Sequence, residues 1–386
     1  MSISNHIEFV HGLTRLFDNL PSKSHCLPGM FNEVYPVTQT LSSSEYSLLV
    51  DIGGCISVSV KKLVDNYLSS DEMRKNLPLT DKTIGLFKKL RDIPISNTLI
   101  RPDFIESLNK TPMICEIGTR FALNGYFASI FLQQTVSNLH PKYKLNSSVM
   151  FETLGLVSPN DEIIILVGDE VGYDIHYLAM EFKNTRFIHY TSEIWRETSE
   201  SCTILLELNK DEVENILDAL VDLMLAGRRI INDPRIVIIG HDKMLLKFLG
   251  DIEYMTPLVG DANAQLLNSH IIKTYSPEHD NLDISEKNKW IAKLKHGGKR
   301  IGMLVGSLVT QEEWDAVDSN YIIQPFIPQN LHIIYNHITR DSVPTYRVGM
   351  ILNIGDECGG LGMYRFYSQK FEFIRFSGYT IHEELK

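Results

Sequence analysis

Between residues 161 and 250, short apolar runs alternate with amphipathic stretches, and this alternation restricts the fold more than any other feature of the chain. EIIILVG and TRFIHYT have the length and composition of buried strands, and DIHYLAMEFKN between them has helical spacing. EVENILDALVDLMLAG reads as a helix stopped at Gly227, RIVIIG as a third strand and KMLLKFLGD as a third helix. Strands that alternate with helices are joined by right-handed crossovers, so the segment predicts a small parallel α/β unit.

The flanks have other patterns. Residues 43–93 carry apolar side chains at mixed three and four spacing and read as helical. NTLIRPDFIESL and TPMICEIG then read as strands about a two-residue turn at Asn109-Lys110, and FASIFLQQTVSNL as helix. The polar stretch at 275–288 predicts a flexible boundary. Beyond it, KWIAKLK and IGMLVGS form a hairpin around the glycine-rich HGGKR, and Thr310 with Glu313 makes a capping box that opens a helix. NYIIQPFI, HIIYNHI, YRVGMILNI and KFEFIRF make the last third strand-rich.

Composition narrows the function. A chain of 386 residues, 44% of them hydrophobic, has material for two or three packed domains. Its net charge of -11 repels phosphate backbones, which argues against nucleic acid as a general partner but leaves room for a local nucleotide site. Five scattered cysteines without CxxC spacing argue against a zinc site or a disulfide framework and for a reducing compartment. The N-terminus lacks the pattern of a signal peptide, and the apolar runs are too short to cross a bilayer. The expectation is a cytoplasmic protein without membrane contact.

Four places have the residue types for chemistry. A two-residue turn at Asn109-Lys110 sets Asp103 opposite Glu116 and Arg101 opposite Gly118, and strand alternation puts Ile114, Glu116 and Gly118 on one face. Facing carboxylates suit magnesium, which takes one or two of them plus substrate phosphates. They equally suit a surface hairpin with Asp103 paired to Arg101 or Arg120. KLKHGGKRIG offers lysines around a Gly-Gly pair, either a phosphate cradle or an exposed basic turn. In GHDKMLLKFL, Asp242 reads as an N-cap and Lys243 as a first-turn cation, which faces either an anionic ligand or solvent. LVGDEVGYD has a glycine turn between strand and helix, but Asp169 and Glu170 stand where dinucleotide phosphates would bind, so it reads as a structural crossover. The 13 histidines show no nucleophile–base order.

Together these pieces resemble circularly permuted ATP-grasp proteins, the relatives of glutathionylspermidine synthase. ICEIGTRFALNGYF is similar to the family's E-x-N-x-R stretch, and RPDF to the strand with the other metal-binding carboxylate. HDKMLLKFL resembles the helix before the nucleotide domain, and WIAKLKHGGKRIG the lysine strand and phosphate loop. YIIQPFI resembles the adenine-holding segment, and GLGMYRF the late arginine strand. Asp103 and Glu116 precede Lys293, the permuted order.

The resemblance implies an α/β fold, α+β in part: a permuted ATP-grasp with a small Rossmann-like pre-ATP-grasp domain. Its divisions fall at residues 1–155 (N-terminal helices and the metal-binding half), 156–255 (the Rossmann-like domain) and 256–386 (the nucleotide lid and remaining core strands). It implies an ATP-dependent ligase that joins a carboxylate to an amine, releasing ADP and phosphate. Lys243, Lys293, Gly297, Gly298 and Lys299 would contact phosphates, and Gln324, Phe326 and Ile327 would line the adenine pocket. Asp103 and Glu116 would hold Mg2+, and Arg120 and Arg365 would neutralise phosphate or the acyl phosphate. Partners would be small carboxylates and amines (an amino acid, peptide or polyamine, or a carrier-protein thiol), with a homodimer as the base-rate assembly. Two residues depart from the family pattern: Gly118 stands where it has asparagine, and Leu294 where it has proline. The first leaves open a protein that binds nucleotide or peptide without turnover. A plain Rossmann enzyme would instead bind NAD(P) at 161–250.

Overall fold

The computed structural model describes residues 39–96, 98–120, 162–170, 184–190, 201–280, 282–298, 300–335, 341–377 and 379–382, together with Gly125, Tyr126, Ser129, Ile175, Ala179 and Phe182. β1 (Gln39–Ser42) leads into α1 (Ser43–Asn66), whose capping box is Ser42 with Glu45. A short 3-10 turn precedes α2 (Asp71–Asn76) and α3 (Asp81–Lys89), so the expected helical region is present in three pieces. β2 (Leu99–Glu106) and β3 (Pro112–Gly118) form the expected hairpin. The helix expected at FASIFLQQTVSNL lies almost wholly outside the described residues, as does the one at DIHYLAMEFKN.

The central unit has β4 (Ile163–Val167), β5 (Thr185–His189), β6 (Thr203–Glu207), α4 (Lys210–Asn215), α5 (Leu217–Leu225) and β7 (Arg229–Ile231). Its four strands lie in the order β5-β4-β6-β7, all parallel, as strand–helix alternation requires. Two expectations fail here. β6 was not anticipated, and RIVIIG is not the third strand but most of α6 (Pro234–Gly240). Every residue of α6 is buried, so its sequence is apolar on all sides and carries no 3.6-residue period to tell it from a buried strand. Asp233 and Pro234 decide the matter: the Asp233 carboxylate accepts from Arg235 N, and proline at the first helical position is pre-set for a helix.

After α6 come α7 (Leu245–Leu249), α8 (Ile252–Val259) and α9 (Asp261–His270). β8 (Trp290–Leu294) and β9 (Leu304–Val305) pair antiparallel as the expected glycine-loop hairpin; α10 (Gln311–Asp315), with its Thr310–Glu313 capping box, and β10 (Tyr321–Pro325) complete a small lid sheet. The lid packs on its own core of Ala292, Trp314 and Ile323. The chain then forms β11 (His332–Tyr335), β12 (Ser342–Ile354), β13 (Glu357–Leu361), β14 (Tyr364–Tyr367), β15 (Phe373–Ser377) and β16 (Tyr379–His382).

The largest sheet joins the two ends of the chain. Its path is β15-β14-β12-β2-β3, with β11 and β13 also on β12, so the hairpin from residues 99–118 is bonded to strands after residue 341. The outer edge of β3 is covered where α9 ends: Ile272 N donates to Ile114 O at 3.1 Å, and His270 Nδ1 lies 2.8 Å from Pro112 O. Among the described residues no helix is long and apolar enough to cross a membrane.

One buried side chain ties the parallel unit to the hairpin. Asn232, fully buried, donates to Leu99 O at 2.6 Å and Thr119 O at 3.0 Å and accepts from Leu99 N at 2.7 Å. Asn232→Ala strands these backbone groups without water, which costs about 3 kcal/mol. A urea denaturation midpoint that stays at the wild-type value would rule out this clamp.

Candidate functional site

The β2–β3 hairpin has the expected pairing, but by a different route. Its loop spans residues 107–111 rather than a two-residue turn, with Lys110 at φ 62° and its N–H bonded to Ser107 O. That shifts the register by one residue, and a bulge at Cys115 shifts it back. Asp103 therefore pairs with Glu116, and Arg101 with Gly118. The bulge breaks the expected alternation: Ile114 and Ile117 join the apolar core, while Cys115 and Glu116 both line a cavity of about 490 Å³ between hairpin and lid.

The cavity gathers most of the residues singled out in the sequence. Asp103, Glu116 and Arg120 line its floor; Lys243 and Arg365 enter from the sides; Lys293, Gly297, Gly298, Gln324, Phe326 and Ile327 come from the lid. Lys299 lies outside the described residues. Lys243 is placed differently from expectation. It precedes α7, in a bend where Met244 N donates to Asp242 Oδ1 at 2.8 Å, and it is buried rather than facing solvent. Its backbone N–H donates to Lys295 O at 3.0 Å, its ammonium donates to Gly297 O and lies 3.6 Å from Glu116. Lys293 reaches across from β8 to donate to Cys115 O at 3.1 Å. Lid and floor are thus joined at both lysines.

Electrostatics distinguish this cavity from the rest of an acidic protein. Six cationic side chains line it: Arg101, Arg120, Lys243, Lys293, Arg300 and Arg365. Among the described residues only Asp103, Glu116 and Glu170 oppose them. Burial would raise the Glu116 carboxyl, but Lys243, Lys293, Arg365 and Arg101 outweigh it and hold the group below the usual carboxylate range. The Lys243 ammonium moves down because burial, Lys293 and Arg120 exceed the help of Glu116 and Asp242. Burial, reinforced by Arg120, Lys243 and His296, pushes the His241 imidazole down to about 3. His241 Nε2–H donates to His296 O at 2.9 Å, so the ring holds the loop in its neutral form.

The lid loop comes so near the floor that a Cβ at residue 298 would lie 2.0 Å from the Arg120 guanidinium, which would have to move aside. At the other end, Phe326 N donates to Lys289 O at 2.7 Å, while Ile327 N–H has no partner among the described residues. Strand alternation points the Pro325 carbonyl away from β8. Gln324 is buried and donates to Thr274 at 2.9 Å.

The Mg2+ expected at Asp103 and Glu116 does not fit the donors as they stand. Asp103 binds Arg365 through one oxygen and has Arg101 3.3 Å from the other, which accepts no hydrogen bond though buried. Glu116 lies against lysine. A divalent ion between them would have to displace these cations. The alternative pairing of Asp103 with Arg101, weighed from sequence, is present inside the cavity rather than on a surface hairpin.

Sequence reasoning passed over Arg101 as a cavity cation, although it sits two residues from Asp103 on one strand face. It also missed Arg300, whose guanidinium stacks 4.8 Å from the Tyr367 ring centre. The LVGDE turn is a structural crossover, as expected: the Glu212 carboxylate accepts Asp169 N at 2.9 Å and Asn209 N at 2.8 Å, filling the place of a phosphate.

No curated protein matches the sequence. The family described as AnkG N-terminal domain matches residues 55–239, a span from within α1 to within α6 that includes Asp103, Glu116 and Arg120. Among the solved structures, a glutathione synthetase-like effector from Globodera pallida in apo form has a TM-score of 0.63, covering 99% of this chain and 97% of its own at 11% identity. At that identity the likeness shows the fold alone. The chain has a glutathione synthetase-like mixed α/β fold, in keeping with the ATP-grasp type.

The neutral His241 sets a pH dependence. The unfolded chain binds a proton at this residue below about 6.5 and the folded chain only near 3. Stability from this group is complete above 6.5 and falls as pH drops toward 3, by up to about 1.4 kcal/mol per pH unit. His241→Gln should flatten the curve of denaturation free energy against pH in that window; matching curves for the two proteins would rule the neutral imidazole out.

Proposed function

We propose that this chain is an ATP-dependent ligase that activates a carboxylate as its acyl phosphate and passes it to an amine. The reading goes beyond the fold, and one observation carries it: an acidic chain concentrates six cations in a cavity walled by a glycine-loop lid. Anions that repel each other, a triphosphate and a carboxylate, meet there only if the protein supplies opposing charge in advance.

The roles follow from position. Lys243 and Lys293 hold phosphate oxygens from two sides, with Gly297 and Gly298 closing over them; Lys299, outside the described residues, keeps its phosphate role from the sequence resemblance alone. Arg120, pressed against Gly298, and Arg365 on β14 neutralise the group in transfer. Adenine takes the Ile327 N–H and the Pro325 carbonyl, between Phe326 and Gln324. ATP gives its γ-phosphoryl to the carboxylate, the amine displaces phosphate, and an amide, ADP and phosphate leave. Substrates would be small acids and amines of the amino acid, peptide or polyamine kind.

The permuted reading draws support from chain order. The carboxylate hairpin precedes the lid in sequence, yet pairs with β12, which follows it. The parallel unit that lies between hairpin and lid in the sequence is where this reading puts the Rossmann-like domain of that family. A second reading, nucleotide binding without turnover, is favoured by Gly118 and by the pairing of Asp103 with two arginines.

Calorimetric titration with ATP in Mg2+-containing buffer tests the nucleotide site: binding is expected, and Lys293→Ala should weaken it about tenfold through loss of a charged phosphate contact. An ATP-independent heat trace, or an unaffected variant, would defeat the assignment. ADP release on supply of an amino acid and polyamine mixture supports the ligase; binding without release supports the second reading.

A further inference from the structure

The pairing at the cavity floor has a consequence for how a nucleotide would bind, one that rests on the ATP-binding reading above. Magnesium at such a site takes carboxylate oxygens and leaves the remaining positions to phosphate and water. Both carboxylates here already face cations, although Asp103 Oδ1 accepts no hydrogen bond. Asp103, 2% exposed, lies between the guanidinium groups of Arg101 and Arg365. Glu116 lies 3.6 Å from Lys243, near Lys293. Four cations surround two carboxylates, so the cluster keeps a positive excess with no metal present.

Arg101 lies close against the bare backbone of residue 118. Across the strand pair, a Cβ at position 118 would lie 3.3 Å from an Arg101 guanidinium nitrogen and 3.2 Å from the Arg101 carbonyl. A Cβ at Gly125 would likewise come within 3.4 Å of Arg101 Cδ. The guanidinium therefore lies in space that a larger residue at 118, such as an asparagine ligand, would need. A larger side chain at 118 and the present place of the Arg101 guanidinium compete for the same space.

We propose that Arg101, set over Gly118 and assisted by Arg365, Lys243 and Lys293, takes the place of a divalent ion, so that this cavity binds a nucleoside polyphosphate without metal. Guanidinium meets phosphate oxygens through paired donors, which gives it the geometry as well as the charge for the task. Free ATP, more negative than its magnesium complex, is then the better ligand for the positive cavity.

The experiment is a pair of calorimetric titrations of the full chain with ATP, one in excess EDTA and one in excess Mg2+. The expected result is a dissociation constant in EDTA equal to or lower than that in Mg2+, within about threefold. Binding that is tighter in Mg2+ by about tenfold or more overturns metal independence while leaving the nucleotide reading intact. No binding in either buffer overturns both. Arg101→Gln should weaken binding in EDTA about tenfold and regain part of the loss in Mg2+, whereas Arg101→Lys should keep metal-free binding. If Arg101→Gln, with a wild-type circular dichroism spectrum, binds in EDTA as wild type does, Arg101 is not the substitute for the ion.

Discussion

The carboxylate of Asp103, buried between two guanidinium groups, is the contact on which the site depends. A lone carboxylate at 2% exposure would lose its hydration without return. Arg101 on the same strand and Arg365, 262 residues later in the chain, make burial of the charge tolerable. Such a cluster adds little net stability over an apolar one, but removal of any partner leaves an uncompensated buried charge. The pair thereby ties the N-terminal hairpin to the C-terminal strands in one sheet and in one register.

That register is what gives the cavity its chemistry. β12 holds Val348 opposite Arg365 on one side and Met350 opposite Asp103 on the other. The bulge at Cys115 then brings Glu116 level with Asp103. From above, the lid adds Lys293, and the bend before α7 adds Lys243. Each is fixed by a backbone contact to a different segment: Lys243 N to Lys295 O, and Lys293 Nζ to Cys115 O. The cations are held in place by the same bonds that hold lid to floor, so little reorganisation is left for the moment an anion arrives.

What was legible in the sequence was mainly local. The capping box at Thr310, the hairpin at the glycine loop, and the parallel unit all follow from turn chemistry and period. RIVIIG was misread because a helix buried on every side has no polar face to mark its period. The strand Thr203–Glu207 lay in the same blind region, a short apolar run without an obvious boundary. The pairing of Asp103 with Glu116 came out as expected only because loop and bulge offset each other, two errors of one residue with opposite sign. The cation cluster was beyond reach: nothing local in RPDF announces that Arg365 will sit beside it.

Gly118 shows why a motif departure is best read with its cross-strand neighbour. On sequence alone the glycine is a missing ligand, and the natural inference is a weakened metal site. In the structure Arg101 lies against residue 118, and its charge has the same sign as the ion it would displace. A carboxylate between two arginines is a poor metal ligand, since metal binding would first have to displace the Arg365 hydrogen bond and the Arg101 charge. On the proposal above, the positive charge at the site is carried by the chain itself rather than by a mobile ion. On that account the glycine and the arginine are a coupled pair, and the loss of one motif residue does not by itself argue for loss of nucleotide binding.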